Sequence, residues 1–98
     1  MDINKKIEGK KLTVSIEGRL DTTTAPQLEN ELNGIISNIK DLVLDVSKMD
    51  YISLAGLRVL LSAQKTMNKQ GSMTVTGANA DVLEIFEVTG FADVLNIE

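Results

Sequence analysis

The residues that could do chemistry lie in two short stretches. One, Asp45 to Gly56, holds Asp45, Ser47, Lys48, Asp50, Tyr51 and Ser53. The other, Gly18 to Thr24, holds Arg19, Asp21 and the hydroxyls of Thr22, Thr23 and Thr24. Asp45 and Asp50 could pair for metal binding or acid–base work, with a lysine converging on them as in a small hydrolase. The same residue types more often cap turns and helices, and no further ligand clusters near them. Composition excludes most other chemistry. The 98 residues include no histidine and no cysteine, so neither a Ser-His-Asp nor a Cys-His triad can be built. Thiolate metal sites and disulfides are excluded for the same reason. Gly18, Gly34 and Gly56 lack the spacing of a phosphate loop. No catalytic residue, metal or cofactor is therefore expected.

Charge narrows the partners. The chain carries a net −4, with −1 in residues 1–49 and −3 in residues 50–98. It has no basic stripe, and Tyr51, Phe86 and Phe91 are its only aromatics, so nucleic acid is not an expected partner. No apolar run approaches the ~18 residues of a membrane span, and Met1 to Lys6 do not lead into a secretory signal. A cytoplasmic domain without membrane insertion is the expectation. A chain of this length is expected to form one domain, residues 1–98, monomeric or at most weakly dimeric.

The elements that position these residues follow from periodicity. Leu12, Val14 and Ile16 alternate with polar residues and predict a strand. Ile3 and Ile7 suggest a weaker strand before it, joined by a hairpin turn with Gly9 at positive φ. Leu28, Leu32, Ile35, Ile36 and Ile39 have helical spacing, which predicts one helix ending near Asn38 to Lys40, with Gly34 as a tolerated internal glycine or a close packing contact. Thr24 and Gln27 have capping-box spacing. Leu42 to Val46 fits a central parallel strand covered on both faces. Ser53 to Lys69 predicts a second helix with Ser53 at its N-cap and Gly71 as a left-handed C-cap. Met73 and Val75 mark another strand, Asp81 to Val88 a third helix ended by Gly90, and Val94 to Ile97 a last strand or tail. The fold class expected is α/β: a mixed sheet of four to five strands, an N-terminal hairpin then parallel strands, packed with three to four helices. Both chemistry-bearing stretches then leave strands at one edge of the sheet, where open α/β sheets place their sites.

Three segments carry a family resemblance. Gly18-Arg19-Leu20-Asp21-Thr22-Thr23-Thr24-Ala25-Pro26-Gln27-Leu28, Leu44 to Leu60 with its core Asp50-Tyr51-Ile52-Ser53-Leu54-Ala55-Gly56, and Phe86 to Leu95 together resemble the STAS domain. This family includes bacterial anti-sigma factor antagonists and occurs in sulfate transporters. The resemblance spans essentially the whole chain. It implies a non-enzymatic module that binds an anti-sigma factor, usually a serine kinase, and so frees a sigma factor. In the family the kinase phosphorylates a Ser or Thr at the start of the helix after the signature loop, and the added charge blocks rebinding. This chain departs from that pattern. The acceptor position matches Leu54, and Ser53 matches the Asp or Ser that precedes it.

Three readings of the departure compete. Ser53 serves as a displaced acceptor, or the antagonist is unswitched, or the domain serves another setting, such as a subunit bound to an ABC transporter ATPase. A non-phosphorylatable or atypically regulated binder is the favoured one. The expected partner-binding residues are Asp21, Thr22, Thr23, Tyr51, Ser53, Leu54, Ala55, Gly56 and Arg58, together with the start of the third helix. All but Tyr51 have a plainer role open to them. Asp21 and the threonines would cap the first helix, Ser53 the second, Ala55 and Gly56 would be close-packing residues, Leu54 would be buried against the sheet edge, and Arg58 would be a solvated charge.

Overall fold

Period-two alternation in Leu12, Val14 and Ile16 builds the centre of the sheet. In the computed structural model, which describes residues 1–98, β1 (Asp2–Glu8) and β2 (Lys11–Leu20) form an antiparallel hairpin. Its turn places Gly9 at φ +64°, where a glycine avoids the cost of a Cβ. β3 (Asp41–Ile52) and β4 (Ser72–Thr76) add in parallel, giving the order β1-β2-β3-β4. Register aligns Leu12, Leu42 and Met73 in one row and Val14, Leu44 and Val75 in the next. These six are buried, and they seed a 24-residue core cluster. α1 (Ala25–Asn33), α2 (Leu54–Gln70) and α3 (Ala80–Val88) add Leu28, Leu32, Leu57, Leu60, Met67, Val82 and Phe86 to the same cluster. The α/β class, mixed sheet and leading hairpin match the sequence pattern, and the closing strand shrinks to one parallel bridge, Val75 to Ile97.

Several expectations are corrected. The central strand is covered on one face only. Val43 and Asp45 alternate with buried Leu42, Leu44 and Val46 and lie half-exposed beside Thr13, Ser15, Thr74 and Thr76. Leu42 to Val46 reads as a nearly continuous apolar run only because Val43 sits on the open side.

The first helix stops at Asn33. Gly34 keeps helical angles (φ −74°, ψ −19°), but Ile35 turns to φ −134° and a 3-10 turn follows over Ile36–Asn38. Ile36 and Ile39 stay buried after the break, while Ile35 is half-buried.

Gly71 is not left-handed. Its φ is 177°, ordinary extended backbone, and glycine is needed there because a Cβ would overlap the Lys40 carbonyl.

Both stretches read as loops are largely strand. β2 continues through Gly18, Arg19 and Leu20, and β3 continues past Asp45 to Ile52. β4 stops pairing with β3 at Asp45, so beyond it β3 holds only β2. Two register shifts each put one extra residue on β3: one between the Ser15–Asp45 and Glu17–Lys48 pairs, the other between Gly18–Met49 and Arg19–Tyr51. These are β-bulges, which bend a strand and re-aim its side chains. The alternation test fails across them because each bulge inverts the inside–outside phase.

Candidate functional site

The second bulge builds the site. By leaving Asp50 unpaired, it places Tyr51 directly across from Arg19. The Arg19 guanidinium carbon lies 4.4 Å from the Tyr51 ring centroid, within cation–π range. Arg19 Nε also lies 3.6 Å from Asp21 Oδ2. One guanidinium therefore ties the end of β2 to the end of β3.

Asp21 shapes the turn into α1. Its Oδ1 accepts from the Thr23 N–H (3.0 Å) and the Thr24 N–H (3.2 Å). Its carbonyl accepts from the Ala25 N–H at 2.8 Å. The Thr24 N–H bond is the largest influence holding the Asp21 carboxyl below its ordinary value of 3.8; burial opposes it, and the Thr23 N–H, the Thr24 hydroxyl and the Arg19 charge assist. The Thr24–Gln27 capping box does not form. Thr24 Oγ1 turns back, accepting from the Asp21 N–H at 2.8 Å and donating to the Arg19 carbonyl at 2.7 Å. Asp21 takes over the capping because its charged carboxylate accepts from two backbone donors at once.

Ser53 occupies the N-cap position of α2 with extended angles (φ −98°, ψ 175°), yet its side chain makes no capping bond. Its Oγ is shut from solvent and has no hydrogen-bond partner. The backbone fixes the entry instead: the Ser53 N–H donates to the Leu20 carbonyl, and the Leu57 N–H to the Ser53 carbonyl, both at 2.9 Å. Leu54, the next residue, is 55% exposed and does not pack against the sheet edge. Gly56 lies beneath this surface rather than on it. An added Cβ would meet Leu20 Cγ at 2.7 Å and Ile52 Cγ1 at 2.9 Å, so only glycine lets α2 sit this close to the strand ends.

An open groove of about 240 Å³ runs between the starts of α1 and α2. Thr22, Ala55 and Arg58 line it, with Pro26, Glu29 and Val59. The structure thus gathers Asp21, Thr22, Thr23, Tyr51, Leu54, Ala55 and Arg58 at one end of the molecule. Ser53 and Gly56 support that surface from below. Arg19, Pro26, Glu29 and Val59 belong to it too, and of these only Arg19 was named from sequence. Its pairing with Tyr51 depends on a register that the bulge creates. The start of α3 is anchored to the same end. Asn79 accepts from the Val82 N–H as an N-cap and donates its amide to the Met49 carbonyl at 3.1 Å.

The carboxylate pair does not converge. Asp45 and Asp50 lie five residues apart along one extended strand, roughly 16 Å by strand rise. Asp45 Oδ1 accepts from the Ser47 N–H at 3.0 Å, and that bond, aided by the Ser47 hydroxyl and Lys48 and opposed by burial, holds its carboxyl below the ordinary 3.8. No group of three or more acidic side chains is placed to hold a metal ion. No helix is long and apolar enough to cross a membrane.

The family model described as "STAS domain" matches residues 2–98. BtrV of Bordetella bronchiseptica, named as an anti-sigma factor antagonist, is 35% identical over 94 residues, covering 94% of this chain and 80% of its own. The anti-sigma-B factor antagonist of Bacillus subtilis is 27% identical over 100 residues, covering 99% and 92%. Among solved structures, the anti-sigma factor antagonist SpoIIAA in its unphosphorylated form superposes with a TM-score of 0.85 at 11% identity, covering 99% and 88%. The same Bacillus protein is also solved phosphorylated, with a TM-score of 0.77 at 10% identity, covering 99% and 91%.

Proposed function

Because the chain belongs to the STAS domain family, we propose that it is a non-enzymatic anti-sigma factor antagonist of the cytoplasm. In this reading it binds a serine-kinase-type anti-sigma factor through the edge formed by Asp21 to Thr23, Tyr51, Leu54, Ala55 and Arg58. It differs from a phosphorylation-controlled antagonist in lacking an available acceptor.

One observation carries the proposal. Where the family places an acceptor hydroxyl, this chain presents a half-exposed leucine, and the neighbouring Ser53 hydroxyl faces the interior. An exposed Leu54 beside Ala55 supplies a small apolar anchor, and Arg58 and Asp21 supply charges around it. A standard interface takes about 800 Å² per partner, roughly 15% of the 5370 Å² this chain exposes. The separation of Asp45 from Asp50 counts against the hydrolase alternative.

Co-purification from the source cell, followed by incubation of the recovered pair with ATP and intact-mass measurement, tests the reading. The expected result is a complex with a kinase-fold anti-sigma factor and no mass gain on this chain. Phosphate on Ser53 would overturn the unswitched reading and restore the displaced acceptor. Recovery of a transporter ATPase instead would replace the anti-sigma partner with the accessory-subunit one.

A further inference from the structure

Asparagine followed by glycine occurs once in the chain, at Asn33-Gly34. The pair forms no hairpin turn; it sits where α1 ends and the 3-10 turn begins. Both residues are exposed. The Gly34 N–H reaches only the Leu32 carbonyl, two residues back, where an unbroken helix would give it the Asn30 carbonyl. A Cβ added to Gly34 would meet nothing nearer than the Asn30 carbonyl oxygen at 3.9 Å, so there is room for this peptide to rotate. The backbone changes course at once, from φ −74° at Gly34 to φ −134° at Ile35. The other asparagines are placed differently. Asn4, Asn30 and Asn38 are followed by Lys5, Glu31 and Ile39, whose side chains crowd the next backbone nitrogen. Asn68, Asn79 and Asn96 have their side chains in hydrogen bonds.

We propose that Asn33 is a modification site, converted in the folded chain to aspartate and isoaspartate by its neighbour's backbone nitrogen, with water as the only co-reactant. The Gly34 nitrogen gives up its proton and bonds to Asn33 Cγ. The bond from Cγ to the side-chain nitrogen breaks, and ammonia leaves with that proton. The product is a five-membered cyclic imide. One water then opens it. Attack at Cγ restores the ordinary backbone and leaves aspartate; attack at the main-chain carbonyl leaves isoaspartate, with the chain routed through Cβ. Inside a helix two restraints prevent the first step: the N–H is held by the carbonyl four residues back, and the backbone cannot turn the nitrogen towards Cγ. The break after Asn33 removes the first, and the open space around Gly34 relaxes the second.

The new group is badly placed for stability. A carboxylate at this position lies four residues after Glu29, on the same face of α1, and both line the hollow between α1 and α2. Like charges at that spacing repel, and a negative charge at a helix C-terminus opposes the helix dipole. The isoaspartate route also adds one backbone atom between Leu32 and Ile36, both buried in the core. Conversion therefore loosens the join between α1 and the 3-10 turn. Asn33 ends α1 at the end away from Asp21 and Thr22, so no binding partner enters the reaction.

Purified chain held in neutral and in mildly alkaline buffer, sampled over weeks by intact mass and peptide mapping, tests this. The expected result is the mass gain of an oxygen replacing an NH, mapped to Asn33, and faster at the higher pH because the attacking nitrogen must lose its proton. Gly34→Ala should slow the gain by about tenfold, since a Cβ crowds that nitrogen and narrows its motion. Folded wild type should react within about tenfold of the same chain unfolded in urea, because a helix end opens at little cost. Asn33→Asp should unfold at lower urea than fresh wild type, and aged wild type should move towards it. No gain at Asn33, an equal gain in Gly34→Ala, an earlier gain at another asparagine, or a folded chain far slower than the unfolded one would each overturn the proposal. An Asn33→Asp chain as stable as wild type would overturn the destabilising consequence. The wild-type time courses, folded and unfolded, need no variant, so a folding defect in either mutant leaves the proposal decidable.

Discussion

At the scale of single residues, position and role separate. Ser53 stands where an N-cap stands, yet its hydroxyl bonds nothing and sees no water. Losing a working N-cap costs about 1 kcal/mol, whereas removing an unsatisfied buried hydroxyl is neutral or stabilising. Ser53→Ala should therefore leave the urea midpoint unchanged or raise it; a loss near 1 kcal/mol would mean that the hydroxyl caps after all. Leu54 is the converse, an apolar side chain in solvent. Leu54→Ala should shift stability by no more than about 0.5 kcal/mol while weakening partner binding by about 1–2 kcal/mol, as titration calorimetry would read. The carboxyls of Asp21 and Asp45 are held below the ordinary 3.8 in the folded state, chiefly by backbone N–H bonds from Thr24 and Ser47. A depressed folded value means the contribution is present above the unfolded value and lost as pH falls through the folded one. Urea midpoints should therefore drop below about pH 4, and D21N and D45N should each flatten that drop.

At the scale of elements, glycine makes the contrast sharpest. Gly34 has helical angles and open space around an added Cβ, so Gly34→Ala should stabilise by about 0.4–1 kcal/mol through the unfolded chain. Gly56 has Leu20 and Ile52 atoms where a Cβ would go, so Gly56→Ala should cost about 1–3 kcal/mol and push α2 off the strand ends. Denaturant unfolding of the two variants reads opposite signs if the packing is as described. Sequence read Gly56 as a close-packing residue and Gly34 as an internal glycine, and the packing shows that a Cβ has no room at the first and room at the second. The hairpin and the identity of all three helices were legible, because each follows an unbroken period with turn residues at its ends. The far ends of β2 and β3 were not. Two bulges invert the alternation, and Gly18 and Asp50 look like loop residues until the partner strand is in place. The site inherits this limit. Asp21, Tyr51 and Leu54 were legible by resemblance, whereas Arg19 joins them only through a register that a bulge sets.

At the scale of the whole molecule, one core serves every element. Phe86 is fully buried in the same cluster as Leu12 and Leu44, although α3 comes late in the chain. Phe86→Ala should cost about 3–5 kcal/mol, and Tyr51 fluorescence and far-ultraviolet circular dichroism should still report a single coincident transition. Separate transitions would mean that α3 folds as an independent unit. The sheet keeps one face open, which leaves the helices, both edges and the strand ends to meet partners. The amino-acid sequence by itself determined the class of the fold, the absence of histidine and cysteine chemistry, and a leucine where the family carries a hydroxyl. The first two follow from local periodicity and composition, which need no partner strand, and the third is what the family resemblance implies. Only the tertiary structure decided that the Ser53 hydroxyl points inward, that Asp45 and Asp50 diverge, and that Arg19 stacks on Tyr51. Each of these depends on register and packing between residues far apart in the chain, and a single inserted residue in β3 is enough to change which side chains face one another.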